Sequence, residues 1–428
     1  MKNHPIHRAM RFALVAGAAG SVVAIAGCSG GSEEAVSLTF WLSTSVEQQA
    51  GYDALAAQYE EETGVAVEIV NIPYDGYGTR VRSAAQADEL PDVARVPGLD
   101  PLWTPAVQDL SEIVDDAGNG INQDLIVRGD DDSVLSIPSD VTASGLFINK
   151  TLFDEAGVSY PTDPEDTWTW DEFLAASTEV RETTGAQYDL TFDASPSRFR
   201  AFQYQLGGEA IQYDDGEIST TDATVGIYER FKELNDDVVM PKSVWTSGAD
   251  PNALFKSGQV VAYYSGVWQI ADFSATITDF EWAAVPSPAQ PVHATDVNYG
   301  GLTVAFDNGD ARAQAAYDFV AWMYEPEQYT VLAETNGFLP VETGLDLEYP
   351  FEAQAALDGF ELYNQEIELA DPISGSFAEA QIRWALAGKA LSEDPTVTQI
   401  GAFINDQQDA QTTLDNILAG YEDQVGGE

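Results

Sequence analysis

The sequence predicts an α/β protein whose parallel sheet is covered by helices, and three features point there. Residues 36–94 run strand, helix, strand, helix, strand. The 428 residues are enough for two such domains, and 44% apolar content is that of a folded globular chain. Val36 to Leu42 alternates as a strand. Tyr52, Leu55, Ala56 and Tyr59 then recur at helical spacing, and Gly64 stops the helix. Val65, Val67 and Ile69 alternate as a second strand. A helical stretch through Val81 and Ala84 leads to the third strand at Leu90-Pro91-Asp92-Val93-Ala94. Strands joined through helices lie parallel, and such sheets bind ligands beyond the carboxyl ends of their strands.

Thr142–Asn149 reads as extended and Lys150–Gly157 as a helix closed by Gly157. Thr169-Trp170-Asp171-Glu172 matches a capping box, which makes Trp170 helix-start packing. Val260–Tyr264 is a buried strand ending at Ser265-Gly266-Val267-Trp268. Trp282–Val285 is a short strand, Pro286–Pro291 a proline-rich crossing, and Gly301–Phe306 extended again. Ala313, Ala316, Val320 and Met323 line one helix face, and Pro326 opens a helix that stops at Asn336-Gly337. One last long helix is expected from Asp394-Pro395 past Leu418. Gly129–Ser133 is a turn lacking the ligand alternation and glycine of a calcium loop, so no metal site is expected.

Met1–Gly27 carries Lys2, Arg8 and Arg11 before an apolar run too short for a comfortable membrane span, the pattern of a signal peptide. Cys28 is the only cysteine, so no internal disulfide is possible. Ile25-Ala26-Gly27-Cys28 resembles the lipobox of bacterial lipoproteins, which implies lipidation of Cys28 and membrane anchoring through acyl chains. Residues 28–35 then form the lipidated cysteine and a polar tether. The formal charge is −53, and −56 without residues 1–27, a field that repels phosphate backbones and excludes nucleic acid. It reads as a hydrated acidic surface, with a cationic ligand as the alternative. With His4 and His7 in the leader, His293 is the one histidine left, which removes most zinc and Ser-His or Cys-His chemistry. There is no Walker-type glycine loop and no G-x-S-x-G elbow, and no cofactor is expected.

Several stretches carry a resemblance over nearly the whole mature chain. They are Leu38-Thr39-Phe40-Trp41; Leu90-Pro91-Asp92-Val93; Ile137-Pro138 through Leu146–Lys150 with Leu152–Gly157; Ala253–Val260 leading to Gly266-Val267-Trp268; Tyr299-Gly300-Gly301; and Asn336–Pro340. In this order they resemble the extracellular solute-binding proteins of carbohydrate ABC importers, the group of maltose- and trehalose-binding proteins. The resemblance implies a two-lobed periplasmic-binding-protein-like fold with a hinge and an interlobe ligand cleft. The N-terminal lobe would be 36–141 and 293–340, the C-terminal lobe 142–292 and 341–428, with crossings near Val141, Val292 and Val341. It implies an extracytoplasmic monomer that closes around a sugar or oligosaccharide and docks on membrane permease subunits, and no enzymatic activity.

A sugar pocket needs flat rings for C–H faces and paired donors and acceptors for hydroxyls. Trp268 follows a strand and a Ser-Gly turn, at a position the family uses for stacking; core packing is its alternative. Tyr299 precedes Gly300 and Gly301, whose bare backbone would let N–H groups reach ligand. Trp41 ends the first strand at its carboxyl end. Asp140 matches a family position that bonds sugar hydroxyls, against a plain hinge carboxylate. Trp245, read as lying in a loop, would shape the far end of the pocket. Thr44, with Ser43 and Ser45, would bond hydroxyls or cap the first helix. Arg383 stands beside Trp384 where some relatives place an arginine on the sugar, with a salt bridge as its alternative. Asp92 reads as structural. Two rival functions stay open: a polyamine-binding protein of the same fold, and a glycoside hydrolase with two carboxylates about 5–9 Å apart.

Overall fold

The computed structural model describes residues 36–44, 46–74, 76–208, 212–214, 217–219, 223–289 and 291–426. The leader, Cys28, the tether and Ser45 lie outside these residues. The strands are β1 Ser37–Leu42, β2 Ala66–Asn71, β3 Val93–Val96, β4 Ile137–Asn149, β5 Tyr188–Phe192, β6 Gln212–Asp214, β7 Glu217–Ser219, β8 Val260–Gly266, β9 Trp282–Val285 and β10 Val297–Ala305. The main sheet path runs β2-β1-β3-β10-β4-β8-β5, with β9 also on β4.

The 13-residue β4 makes this path two lobes. Its Ile137–Ala143 half pairs antiparallel with β10, which borders β3 of the parallel β2-β1-β3 group. From Ser144 onward it pairs with β8 and β9, and β8 lies parallel to β5. One strand thus serves two α/β layers and exchanges partners between Ala143 and Ser144. One buried cluster runs from Phe40 of β1 to Phe147 of β4 and Tyr263 of β8, and a second, with Leu146, Phe192 and Tyr264, lies on the other face of β4, β5 and β8. Leu38, Phe40 and Leu42 alternate onto one face of β1, where Phe40 meets Tyr52 and Phe319 edge-on at 5.5 and 6.0 Å. Around β5 and β8, Phe192 stacks on Tyr264 at 4.8 Å and Trp170 packs edge-on against Phe202 at 4.8 Å. The capping box at Thr169 and Glu172 is made, and it sets Trp170 into that core.

The C-terminal helix is two helices, Thr396–Ile404 and Ala410–Val425. Asp406 breaks the run with φ 58°, and Asp409 caps the second helix through Thr412 N–H. Apolar spacing carries on through this break, which is why the sequence reads as one helix. Leu339 bridges Val141 and Glu342 bridges Ile121 before the helix Gln354–Leu369 packs on β9.

Candidate functional site

Asp140 lies in the middle of the Ile137–Ala143 half of β4 and is 4% exposed. Its Oδ1 accepts from Arg95 Nη2 at 2.8 Å and from Ser139 Oγ at 2.5 Å. Arg95 also donates to Ser139 Oγ at 2.8 Å and to the Ser43 carbonyl at 3.2 Å, so β1, β3 and β4 meet at one guanidinium. Burial alone would lower the Arg95 pKa; the charge of Asp140 outweighs it and holds the guanidinium firmly protonated. Gly300 and Gly301 stand at a register shift of β10. A Cβ on Gly300 would lie 1.9 Å from Asp140 Oδ2, and one on Gly301 2.6 Å from Arg95 Cγ. The glycine pair therefore makes room for this ion pair.

Next to the hinge lies a cavity of about 410 Å³ lined by both lobes. Tyr74 and Asp100 line it from the loops after β2 and β3, Arg82 from the helix Tyr77–Gln86, Asn298 and Tyr299 from β10, and Gln381 from the helix Ser376–Leu386. The loops lie beyond the carboxyl ends of parallel strands, where such sheets hold ligands. Arg82 pairs with Asp100 at 3.4 Å. Tyr74 is 74% exposed. Tyr299 is half-buried, and its hydroxyl donates to the Leu125 carbonyl at 3.1 Å. Burial, aided by the charge of Glu379, pushes that hydroxyl up to about 12, so it stays a neutral donor.

Across the cleft, Asp193 directly follows β5. It accepts from Tyr263 Oη at 2.5 Å, Ser265 Oγ at 2.7 Å and Arg198 Nε at 3.4 Å. Arg198 lies over the indole of Trp268 with its guanidinium 4.1 Å from the ring. The outer edge of that indole packs against the end of β8, where a Cβ on Gly266 would lie 2.1 Å from it.

The remaining expected residues fall in different places. Trp41 is half-buried beside β2 and β3, with Arg80 4.9 Å from its ring. Thr44 donates its hydroxyl to Gln48 and its N–H to Asn71, tying the end of β1 to the following helix. Arg383 forms the salt bridge its acidic surroundings favour, to Glu379 at 2.7 Å. Trp245 sits in a short helix, Ser243–Ser247, rather than a loop, and the rings of Phe192, Phe199 and Phe231 enclose it. Asp92 is structural: fully buried, it accepts from Thr39, Asn308 and Arg312. The fold thus gathers Asp140, Gly300 and Gly301 at the hinge, with Tyr299 beside them on the cavity wall. Asp193, Arg198, Tyr74, Arg82 and Asp100 went unremarked in the sequence. The signal for Asp193, Tyr74 and Asp100 was present, since each lies just past a strand's carboxyl end. Among the described residues no three His, Cys, Asp or Glu side chains are grouped to hold a metal ion.

Two α/β lobes joined through a shared strand, with a cavity between them at strand ends, define a two-lobed binding protein. The chain belongs to the bacterial extracellular solute-binding protein family, whose model matches residues 54–359. A binding protein of Brucella abortus is 21% identical over 218 residues, 49% of this chain and 51% of that protein, so the match spans about half the length of that relative. The arabinooligosaccharide-binding protein of Halalkalibacterium halodurans is 24% identical over 307 residues, 68% of this chain and 67% of that one. Among solved structures, a cyclic α-maltosyl-1,6-maltose binding protein from Arthrobacter globiformis shares the fold with TM-score 0.65 and 24% identity, covering 91% of this chain and 98% of that one.

Proposed function

We propose that this protein captures an oligosaccharide in the interlobe cleft and delivers it to the membrane subunits of an ABC importer, without chemical conversion. The observation that carries this reading is the mixed polar wall of the cavity. Arg82 and the amides of Asn298 and Gln381 donate, Asp100 accepts, and Tyr74 and Tyr299 supply rings. Hydroxyls, which donate and accept at once, suit such a wall, whereas a polyamine calls for acceptors and rings alone. The sugars named for the Halalkalibacterium and Arthrobacter relatives support the same cargo class.

In this reading Trp268, Tyr299, Trp41 and Thr44 shape the cleft, Arg383 flanks it, and Asp140 with Gly300 and Gly301 positions the hinge. Trp245 supports the distal lobe from within. The lobes divide as 36–141 with 293–340 and 142–292 with 341–428. The mature protein is an extracytoplasmic monomer, held at the membrane by lipid on Cys28.

Thermal shift of residues 29–428 against mono- and oligosaccharides, spermidine and putrescine tests the cargo. A ligand at one hundred times its Kd stabilises by about 2.7 kcal/mol. A shift with one sugar set, lost in Trp268→Ala, is expected. A shift with polyamines alone would replace the cargo, and consumption of sugar would make the protein an enzyme.

A further inference from the structure

Asn298 lines the cavity, and its Nδ2 donates to Ser197 Oγ at 3.4 Å. The next residue on that helix is Arg198, and its side chain covers the Trp268 indole. The outer edge of the indole packs against Gly266, where a Cβ would lie 2.1 Å from the ring. One face of the ring is thus covered by the protein's own guanidinium. The same guanidinium reaches Asp193, whose carboxylate already accepts from Tyr263 and Ser265. Both surfaces a sugar would want in this lobe, a flat ring and a hydroxyl acceptor, are taken by one side chain.

We propose that Arg198 is an internal stand-in for the ligand, a cover on Trp268 and Asp193 that a sugar ring must displace and that sets the affinity threshold of this half of the cleft. This deepens the sugar-binding reading and rests on it. Arg198 suits this role because its hold on Asp193 is loose: the ion pair is 3.4 Å long, and the two side chains are 15% and 18% exposed. A ligand must displace this cation–π contact before stacking, at a penalty of about two- to fivefold in affinity. A ring that gives Trp268 more contact than a guanidinium does meets that threshold, and a small polyol does not. The cover thus selects for pyranose or furanose rings over open-chain polyols.

The test uses the mature chain, residues 29–428, with Arg198→Ala and Arg198→Lys, the latter keeping the charge beside Asp193 while removing the flat group. Calorimetric titration with maltotriose, arabinotriose and sorbitol reads affinity. Acrylamide quenching reads the cover without any ligand, with the Trp268 signal taken as the difference from Trp268→Phe. Arg198→Ala should tighten sugar binding about two- to fivefold, admit sorbitol more readily, and raise quenching of Trp268. Arg198→Lys should move in the same direction, which guards against a misfolded alanine variant. Weaker sugar binding in both variants would make Arg198 a ligand contact and overturn the cover. Unchanged quenching in both would overturn it as well. If none of the proteins binds a sugar, the cargo reading falls, and quenching alone decides whether Arg198 shields Trp268.

Discussion

Arg95–Asp140 and Arg198–Asp193 are the same pair of residue types, each with a serine hydroxyl on the carboxylate and a ring beneath the guanidinium, and they differ in burial and in length. The first is buried, 2.8 Å long, and tied to three strands through Ser139 and the Ser43 carbonyl. The second is partly open, 3.4 Å long, and its arginine leans on an indole. A buried charge pair with its remaining donors satisfied fixes geometry, because separating the charges leaves one uncompensated in a dry site. A longer pair at the edge of solvent is held less firmly, since distance and water both weaken the attraction. Hinge and cleft are thus distinguished by burial and partner geometry, with residue identity held constant. The largest test is Arg95→Ala, which strands the Asp140 carboxylate and should cost about 3–5 kcal/mol in urea unfolding. A cost below about 1 kcal/mol would place this pair with the loosely held one and remove the contrast.

Gly300→Ala probes the same hinge from the backbone side. Its Cβ would lie 1.9 Å from Asp140 Oδ2, so the carboxylate must leave Arg95 or β10 must shift. Overpacking of this kind should cost about 1–3 kcal/mol, read in the same unfolding experiment. Combined with Arg95→Ala the two losses should fall short of their sum, because both act on one carboxylate. Full additivity would mean the glycine serves something other than the ion pair.

Much of the fold was legible because local rules and packing agree. Alternation in β1, the Gly157 stop, the Thr169–Glu172 box and the Pro326–Asn336 helix all appear in the structure. The site was less legible for a physical reason. Asp140 and Asp193 each stand near a strand end in an acidic chain, and only the fold brings Arg95 to one and Arg198 to the other. Trp245 and Trp268 are equally apolar in sequence. An aromatic core closes around the first and an arginine covers the second. The Gly300-Gly301 pair announced a close approach, but not that a side chain of the protein makes it.

Glu342 sharpens the comparison as a buried carboxylate that has no arginine. It is 3% exposed, neither oxygen has a hydrogen-bond partner, and burial pushes its pKa up to about 8. A carboxyl raised in the folded state binds a proton that the unfolded chain has released. Its contribution is therefore whole below pH 4.5 and is lost as pH climbs from there to about 8. Glu342→Gln should remove that loss. The stability difference between variant and parent should grow by up to about 1.4 kcal/mol per pH unit through this window and then level off. Glu366, also pushed up to about 8 by burial, is present in both proteins and cancels in the difference. Parallel pH profiles in urea would mean that Glu342 ionises normally and has found a partner.

The smallest effect belongs to the cleft pair itself. A double-mutant cycle with Arg198→Ala and Asp193→Asn should give a coupling below about 1 kcal/mol, weakened further by salt. The single variants will cost more than the coupling, because Asp193 also holds Tyr263 and Ser265 and Arg198 also packs on Trp268. Only the cycle isolates the ion pair from those contacts. A coupling of several kcal/mol that survives high salt would show that the cleft arginine is as firmly held as Arg95. No sugar ring could then displace it, and Trp268 would have to be withdrawn from the binding surface.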